Sequence, residues 1–366
     1  MKVLLADDQA SEGWEDILSK ILPVNENDIS VEETVKSAID RVENEVFDLI
    51  FLDLRFGEKD HNESDVEKLG GFKILEAAKS NFNSKNFPTP ITLFTATNKI
   101  WNVDFMVQNG VDDYYIKEHP DQAGDLEYSR KNYQRLKASI PNLISLNNNR
   151  KRIWNKIQKI SNGKYVTNSN IRKRIDQKLK IGYGIIFMNN SELNKRELLY
   201  NSEVLAFVVY WSILEELSKF CFKDHWDREL GGMKDGKPWI LKNNEPFIEP
   251  IIQDGTSKLK VSLKWNASKK YYSVDLQEVT ANDRYFGLPA LREQIWAVLL
   301  LEKGWSSDEV KSRFEPLRLY RNKIDFIHSS TSAIFNEQLT QKAEDKESDY
   351  LKVIKMLDLL EKMVSE

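Results

Sequence analysis

Phe47-Asp48-Leu49-Ile50-Phe51-Leu52-Asp53-Leu54-Arg55 is the stretch whose reading decides the fold. Phe, Leu and Ile follow one another across it without alternation, the pattern of a parallel strand buried on both faces. Its end is a carboxylate, Asp53. Open α/β sheets bind ligands at the carboxyl edge of their strands, so other strands should bring polar groups there. Three runs do so: Val3-Leu4-Leu5-Ala6 ends in Asp7-Asp8, Ile91-Thr92-Leu93-Phe94 in Thr95-Ala96, and Asp113-Tyr114-Tyr115-Ile116 in Lys117. The segments between them are long enough for crossover helices, so we expect an α/β unit built on a parallel sheet.

An acidic pair, a carboxylate, a hydroxyl and an ammonium at one edge each have a use if Asp53 accepts a phosphoryl group. Asp7, Asp8 and Asp53 would hold a hard divalent cation, magnesium above all, because carboxylates plus waters suit its octahedral oxygen shell. Asp53 is then the nucleophile, with the metal offsetting charge on the transferring group. Thr95 and Lys117 would bind the phosphoryl oxygens, one by hydroxyl and one as a point charge.

In this order Asp7-Asp8, Asp53, Thr95-Ala96, Gly110-Val111-Asp112-Asp113-Tyr114 and Lys117 resemble the receiver domain of two-component response regulators over residues 1–120. The resemblance implies a flavodoxin-like, doubly wound five-stranded parallel sheet. It also implies magnesium-dependent phosphorylation of Asp53 by a sensor histidine kinase or a small phosphodonor, and catalysis by the domain itself of phosphoryl transfer to and hydrolysis from Asp53. Thr95 and Tyr114 become the switch pair, Tyr114 turning inward as Thr95 moves toward the phosphoryl group. Trp101, Phe105 and Tyr115 are candidate contacts on the surface where the switch is passed on. The sequence departs from the family twice. Arg55 to Leu69 forms a long, mostly acidic loop where a short turn is usual, and Glu118-His119 separate Lys117 from Pro120. The alternative is a receiver fold that only docks partners, although none of the acidic or lysine positions is missing.

A length of 366 residues predicts two to three domains. The single cysteine, Cys221, excludes a disulfide framework, and His61, His119, His225 and His328 lack metal-ligand spacing. Met1-Lys2-Val3 runs into a strand, leaving no room for a signal peptide, and Val204 to Leu214, the longest apolar stretch, is too short for a bilayer. We expect a cytoplasmic protein without membrane contact.

Charge divides the chain. Residues 1–120 carry 24 Asp and Glu against 12 Lys and Arg, a net −12, whereas residues 130–180 carry 15 Lys and Arg against Asp176 alone, a net +14. Residues 121–184 therefore read as a basic helical connector, in pieces at Leu126 to Ser139 before Pro141, Arg150 to Ile160, and Asn170 to Ile181. Arg150-Lys151-Arg152 and Arg172-Lys173-Arg174 suit a phosphate backbone, a dock on the acidic domain, or a solvated helix face. In the acidic part, helices are expected at Ser11 to Leu22 (capped at Ser11), Glu33 to Val42, Leu69 to Phe82 and Ile100 to Val107.

Residues 185–366 read as a helical output domain with an inserted hairpin. Glu192 to Phe222 is a long amphipathic helix. Lys258 to Trp265 and Tyr271 to Leu276 alternate as two strands turned at Asn266-Ala267-Ser268. Further helices are expected at Ala290 to Lys303, Asp308 to Arg313, Leu317 to His328 and Glu347 to Val364. On the helix 317–328, Arg321 and His328 stand two turns apart on nearly one face. Arg321 could clamp a phosphate and His328 shuttle a proton, enough for metal-independent RNA cleavage. This stretch, with Asn322 after the arginine, resembles the HEPN superfamily. The resemblance implies a homodimer in which two such helices form one ribonuclease site supported by Asn322. The alternatives are a non-catalytic HEPN-like module acting through protein contacts or dimerisation, and a bundle of another kind in which His328 caps a helix end. No helix-turn-helix is evident, so DNA is not the expected partner.

Overall fold

A computed structural model describes residues 1–23, 25, 28–61, 63–96, 100–117, 127–163, 169–187, 202–228, 240–242, 245–248, 258–266, 271–279, 292, 295–296, 298–324 and 347–365. The chain splits into two compact units. One is Met1–Asn155 with Phe187–Leu199, the other Lys156–Ile186 with Tyr200–Glu366.

The first unit holds β1 (Val3–Ala6), α1 (Trp14–Ile21), β2 (Ile29–Glu32), α2 (Val35–Asn44), β3 (Leu49–Leu52), α3 (Gly57–His61), α4 (Gly70–Lys79), β4 (Ile91–Thr95), α5 (Ile100–Gln108) and β5 (Asp113–Ile116), followed by the start of α6 (Glu127–Ser161). The strands form one parallel sheet in the order β2-β1-β3-β4-β5, the flavodoxin-like doubly wound arrangement. Successive side chains of a strand face opposite sides. Leu4, Ala6, Ile50, Leu52, Ile91 and Leu93 pack under α2, α4 and α5, while Val3, Leu5, Leu49, Phe51, Phe94 and Tyr115 pack under α1 and α6. Both faces are covered, which is why the β3 stretch is apolar without alternation.

Local chemistry shifted several boundaries. Ser11 does not cap α1: it lies in a 3-10 turn, Ala10–Glu12, and the chain enters α1 through Gly13, whose φ of 105° is left-handed backbone that a side chain would strain. Thr34 caps α2 through the Ser37 amide. The acidic loop is ordered into α3 and a 3-10 turn, Val66–Lys68. Asp60 accepts from the amides of Phe56 (2.9 Å) and Gly70 (2.7 Å), and Arg55 donates to the carbonyls of Asp60 and Glu63.

The break expected before Pro141 does not occur, and α6 is continuous over 35 residues with Pro141 inside. Leu136, Ile140 and Leu143 lie on one face and are buried on the sheet. Burying three such side chains offsets the roughly 3 kcal/mol that an interior proline removes. The first half of the segment read as connector is therefore the helix that covers the second face of the sheet.

The second unit contains the end of α6, α7 (Ser169–Phe187), α8 (Ser202–Arg228), two antiparallel strand pairs, α9 (Ser307–Asn322) and α10 (Asp349–Val364). Helix α8 is apolar around much of its circumference, burying Val204, Phe207, Tyr210, Trp211, Ile213, Leu214 and Leu217, and α10 packs along it. Leu205 and Val208 on the same helix are half-buried. The expected hairpin forms as β8 (Lys258–Asn266) with β9 (Tyr271–Val279); residues 267–268 of its turn lie outside the described residues. A second pair, β6 (Ile240–Lys242) with β7 (Glu245–Ile248), was not anticipated. The two helices expected at 308–313 and 317–328 are one helix, α9, started by a capping box between Ser306 and Glu309 and passing through Pro316. It stops at Asn322, with Lys323 as its C-cap. The described helix holds Arg321 and Asn322; His328 lies outside the described residues. Among the described residues no helix is long and apolar enough to cross a membrane.

Candidate functional site

Register builds the site. Ala6 pairs with Leu52, so the next residues, Asp7 and Asp53, emerge side by side, and the Asp53 amide donates to the Ala6 carbonyl at 2.8 Å. Thr95 pairs with Ile116 at the ends of β4 and β5, and the Lys117 amide donates to the Thr95 carbonyl at 2.7 Å. All five expected groups therefore reach one edge. Asp7, Asp53, Thr95 and Lys117 are buried and Asp8 is half-buried.

The Lys117 ammonium bridges the two buried carboxylates, 2.8 Å from Asp7 Oδ2 and in contact with Asp53 Oδ2. Asp7 Oδ1 accepts from the Gln9 amide at 3.0 Å and Asp53 Oδ1 from the Arg55 amide at 3.2 Å. Asp8 Oδ2 accepts from the Gly57 amide at 2.6 Å, tying the loop after β3 to the acidic pair. Burial pushes the Asp7 carboxyl up to about 6 from 3.8; Lys117 opposes this and Asp53 adds to it. Burial also pulls on the Lys117 ammonium, but Asp53 and Asp7 together outweigh it and hold its pKa above the usual lysine value.

Carboxylate oxygens of Asp7, Asp8 and Asp53 lie within 4.8 Å of one another. At magnesium–oxygen distances of about 2.1 Å, ligands on opposite sides of an octahedron stand roughly 4.2 Å apart, so the three fit one shell completed by waters. Three carboxylates against one ammonium also leave an excess of negative charge. The residues fit a divalent cation.

Three neighbours were not anticipated. The Trp14 ring centroid lies 5.9 Å from the Lys117 ammonium, walling the site. Gly71 abuts Asp53 so closely that a Cβ would stand 2.2 Å from the Asp53 carbonyl oxygen. Arg135 of α6 covers the Tyr114 ring at 4.3 Å, pairs with Asp113 at 2.9 Å and donates to the Tyr114 carbonyl. Tyr114 is 36% exposed, so it faces outward under this guanidinium. A glycine pair opening a helix was the one signal for Gly71; nothing in the sequence ties Arg135 to Tyr114.

The proposed relay contacts separate. Tyr115 turns to the α1 and α6 face, stacked on Phe94 at 5.0 Å, whereas Phe105 packs against Phe72 on the other face at 5.5 Å. Strand alternation makes Tyr115 face away from α5, so these residues do not share a surface. The side chain of Trp101 and residues 118–120 lie outside the described residues.

Much of the basic segment is engaged. Arg150 makes a two-pronged pair with Asp112 (2.8 and 2.6 Å), and Lys151 pairs with Asp48 at 2.7 Å. In the second unit Arg174 and Lys178 pair with Glu216 at 2.6 and 2.9 Å. Arg152, Arg172 and Lys173 are exposed. Arg321 lies 3.7 Å from Glu215 of α8 and its Nη1 3.5 Å from Asn322 Oδ1.

No protein-family profile matches the sequence, and no curated protein does. Solved structures similar to the amino-terminal part of the chain are receiver domains. The signal receiver domain of a protein described as a Luxo repressor, from Vibrio parahaemolyticus, is 22% identical, with 40% of this chain and 92% of that one covered and a TM-score of 0.30. A CheY-like response regulator receiver domain protein from Methanospirillum hungatei JF-1 is 18% identical, covering 39% and 94%, with a TM-score of 0.27. The receiver domain of Francisella response regulator 1452 is 22% identical, covering 37% and 98%, with a TM-score of 0.25.

Proposed function

We propose that the chain is a response regulator whose first unit accepts a phosphoryl group on Asp53 from a sensor histidine kinase or a small phosphodonor. The observation that carries this is the meeting of Asp7, Asp8, Asp53, Thr95 and Lys117 at one sheet edge, with Lys117 bridging Asp7 and Asp53. Asp7, Asp8 and Asp53 would hold magnesium, which supplies charge neutralisation for phosphoryl transfer. A carboxylate oxygen of Asp53 forms the new bond to phosphorus as the donor's bond to phosphorus breaks and the leaving group keeps that electron pair. Lys117 supplies a fixed positive charge beside the new phosphoryl oxygens, and the Thr95 hydroxyl a donor from the end of β4. Trp14 and Phe94, whose ring centroids each lie 5.9 Å from the Lys117 ammonium, wall the site and limit competing water.

Inward rotation of Tyr114 would break the stack with Arg135, so the switch acts on α6, a helix that contributes residues to both units. The helical unit is then the output, and we read it as a non-catalytic module acting through protein contact or self-association. Arg321 there is paired to Glu215, which favours a structural role for it, while His328 lies outside the described residues.

The test is incubation of the full chain with acetyl phosphate and magnesium, read by intact mass and by hydroxylamine sensitivity. Wild type gains one phosphoryl group; Asp53→Asn and a magnesium-free sample do not. Labelling that survives Asp53→Asn refutes the site. RNA cleavage lost in His328→Ala would replace the non-catalytic reading with the nuclease one.

A further inference from the structure

We infer that the helical unit carries a binding pocket for a small organic anion, one phosphate or carboxylate head on a ring-sized apolar body. This goes beyond the phosphorylation of Asp53 and does not rest on it. Phe314, Arg318 and Arg321 recur at four- and three-residue steps along α9 and so share a face, with Asn322 at its edge. With Trp211 of α8, Arg292 and Ile295 they line a cavity of about 300 Å³, at the small end of ligand sites.

The lining is divided in the way such a ligand requires. Trp211, Ile295 and Phe314 form an apolar floor; each is buried from solvent, and the Trp211 and Phe314 rings stack at 6.0 Å. The polar side is three guanidiniums. Glu315 holds two of them by the Nε edge, accepting from Arg292 at 2.9 Å and Arg318 at 2.8 Å, and it also accepts from Trp296 Nε1 at 2.7 Å. Both of its oxygens are thereby taken. The Nη groups of Arg292 and Arg318 make no hydrogen bond among the described residues, the Arg292 guanidinium resting 5.9 Å from the Trp296 ring centroid, so two oriented forks remain beside the cavity. A planar fork favours carboxylate and phosphate oxygens over other anions. The cavity holds one such molecule and its apolar body, not a polymer.

The experiment is calorimetric titration of the full chain with phenyl phosphate and with benzoate, to separate the two heads, and with inorganic phosphate and benzyl alcohol as the half-molecules. At least one whole molecule should bind saturably and at least tenfold more tightly than either half. Loss of one charge-assisted hydrogen bond is about 1.5–3 kcal/mol, roughly ten- to more than a hundredfold in affinity. Arg292→Gln and Arg318→Gln should each weaken binding by that factor. Arg318→Lys, which keeps the charge and gives up the fork, is the variant to use if the glutamine forms do not fold. Lys355→Gln, on α10 and away from the cavity, should bind as wild type. The proposal is overturned if neither whole molecule binds, if inorganic phosphate binds as tightly, or if Lys355→Gln loses as much as the arginine variants.

Discussion

Replacing Asp7 by Asn should stabilise the metal-free protein above pH 6 while removing its response to magnesium. An acid whose folded-state pKa is raised holds its proton more tightly in the folded chain. Stability therefore falls as pH climbs from the unfolded value of 3.8 to about 6 and levels off above that. The displacement of about two pH units corresponds to about 3 kcal/mol, and the value of about 6 already includes the attraction of Lys117. Asn at this position has no charge to bury, and Lys117 retains Asp53 as partner. At 2–4 °C per kcal/mol for a unit of this size, the gain is a rise of roughly 6–12 °C in melting temperature. The assay is a thermal melt at pH 5 and pH 7.5, with and without magnesium, followed by near-ultraviolet circular dichroism. Wild type should be raised by magnesium more at pH 7.5 than at pH 5, because protons compete with the cation for Asp7. Asp7→Asn should melt higher than wild type without the metal at pH 7.5, with the gap closing at pH 5. If the variant melts lower at both pH values, the Asp7–Lys117 pair is a net stabiliser and the account of an excess of buried negative charge is wrong.

Three further outcomes follow from the same unit. Gly71→Ala drives a methyl to 2.2 Å from the Asp53 carbonyl oxygen and 2.7 Å from Leu54 Cα, both backbone. It should cost at least the 1–3 kcal/mol of an overpacked core and slow labelling of Asp53 by acetyl phosphate. Arg135→Ala removes an exposed cation–π contact of about 0.5–1 kcal/mol that holds Tyr114 outward. Beryllofluoride, measured through tryptophan fluorescence with Trp14 beside the site, should then bind roughly two- to fivefold more tightly. Arg150→Ala leaves Asp112 buried with the Ile91 amide as its one side-chain hydrogen-bond partner among the described residues and should cost about 3–5 kcal/mol in a urea melt, without changing the rate at which Asp53 is labelled.

The strands and the edge residues could be read from the sequence because their signal is local. Val3–Ala6, Ile91–Thr95 and Asp113–Ile116 are short apolar runs that end in polar groups, and parallel register carries those ends to one place. What the sequence hid depends on tertiary burial. Pro141 and Pro316 mark breaks by local rule, yet helices pass through both because the residues around them are buried: Leu136, Ile140 and Leu143 in one case, Phe314, Leu317 and Tyr320 in the other. The same cause joined the expected helix at 317–328 to the preceding one, which ends at Asn322 with Lys323 as its cap. Arg135 escaped because its partner, Tyr114, is distant in sequence and nothing in helical periodicity announces a cross-element stack.

The reversal of charge along the chain finds its physical reason in these contacts. Asp48 and Asp112 stand just before β3 and β5, at the amino edge, opposite the site, and Lys151 and Arg150 neutralise them there. Arg135 meets Asp113 one residue further on, beside Tyr114. The two sets differ in exposure. The Arg150–Asp112 pair is less than a tenth exposed on either side chain, whereas Arg135 is 44% exposed. Buried pairs are screened little by salt and exposed ones strongly. The Arg150–Asp112 pair therefore holds α6 on the sheet with little dependence on salt, and the Arg135 contact is weak enough to be broken by a switch of a few kcal/mol. If Asp53 is phosphorylated as proposed, a helix held firmly at one end of the sheet and loosely beside Tyr114 would respond at the carboxyl edge without coming away from the fold.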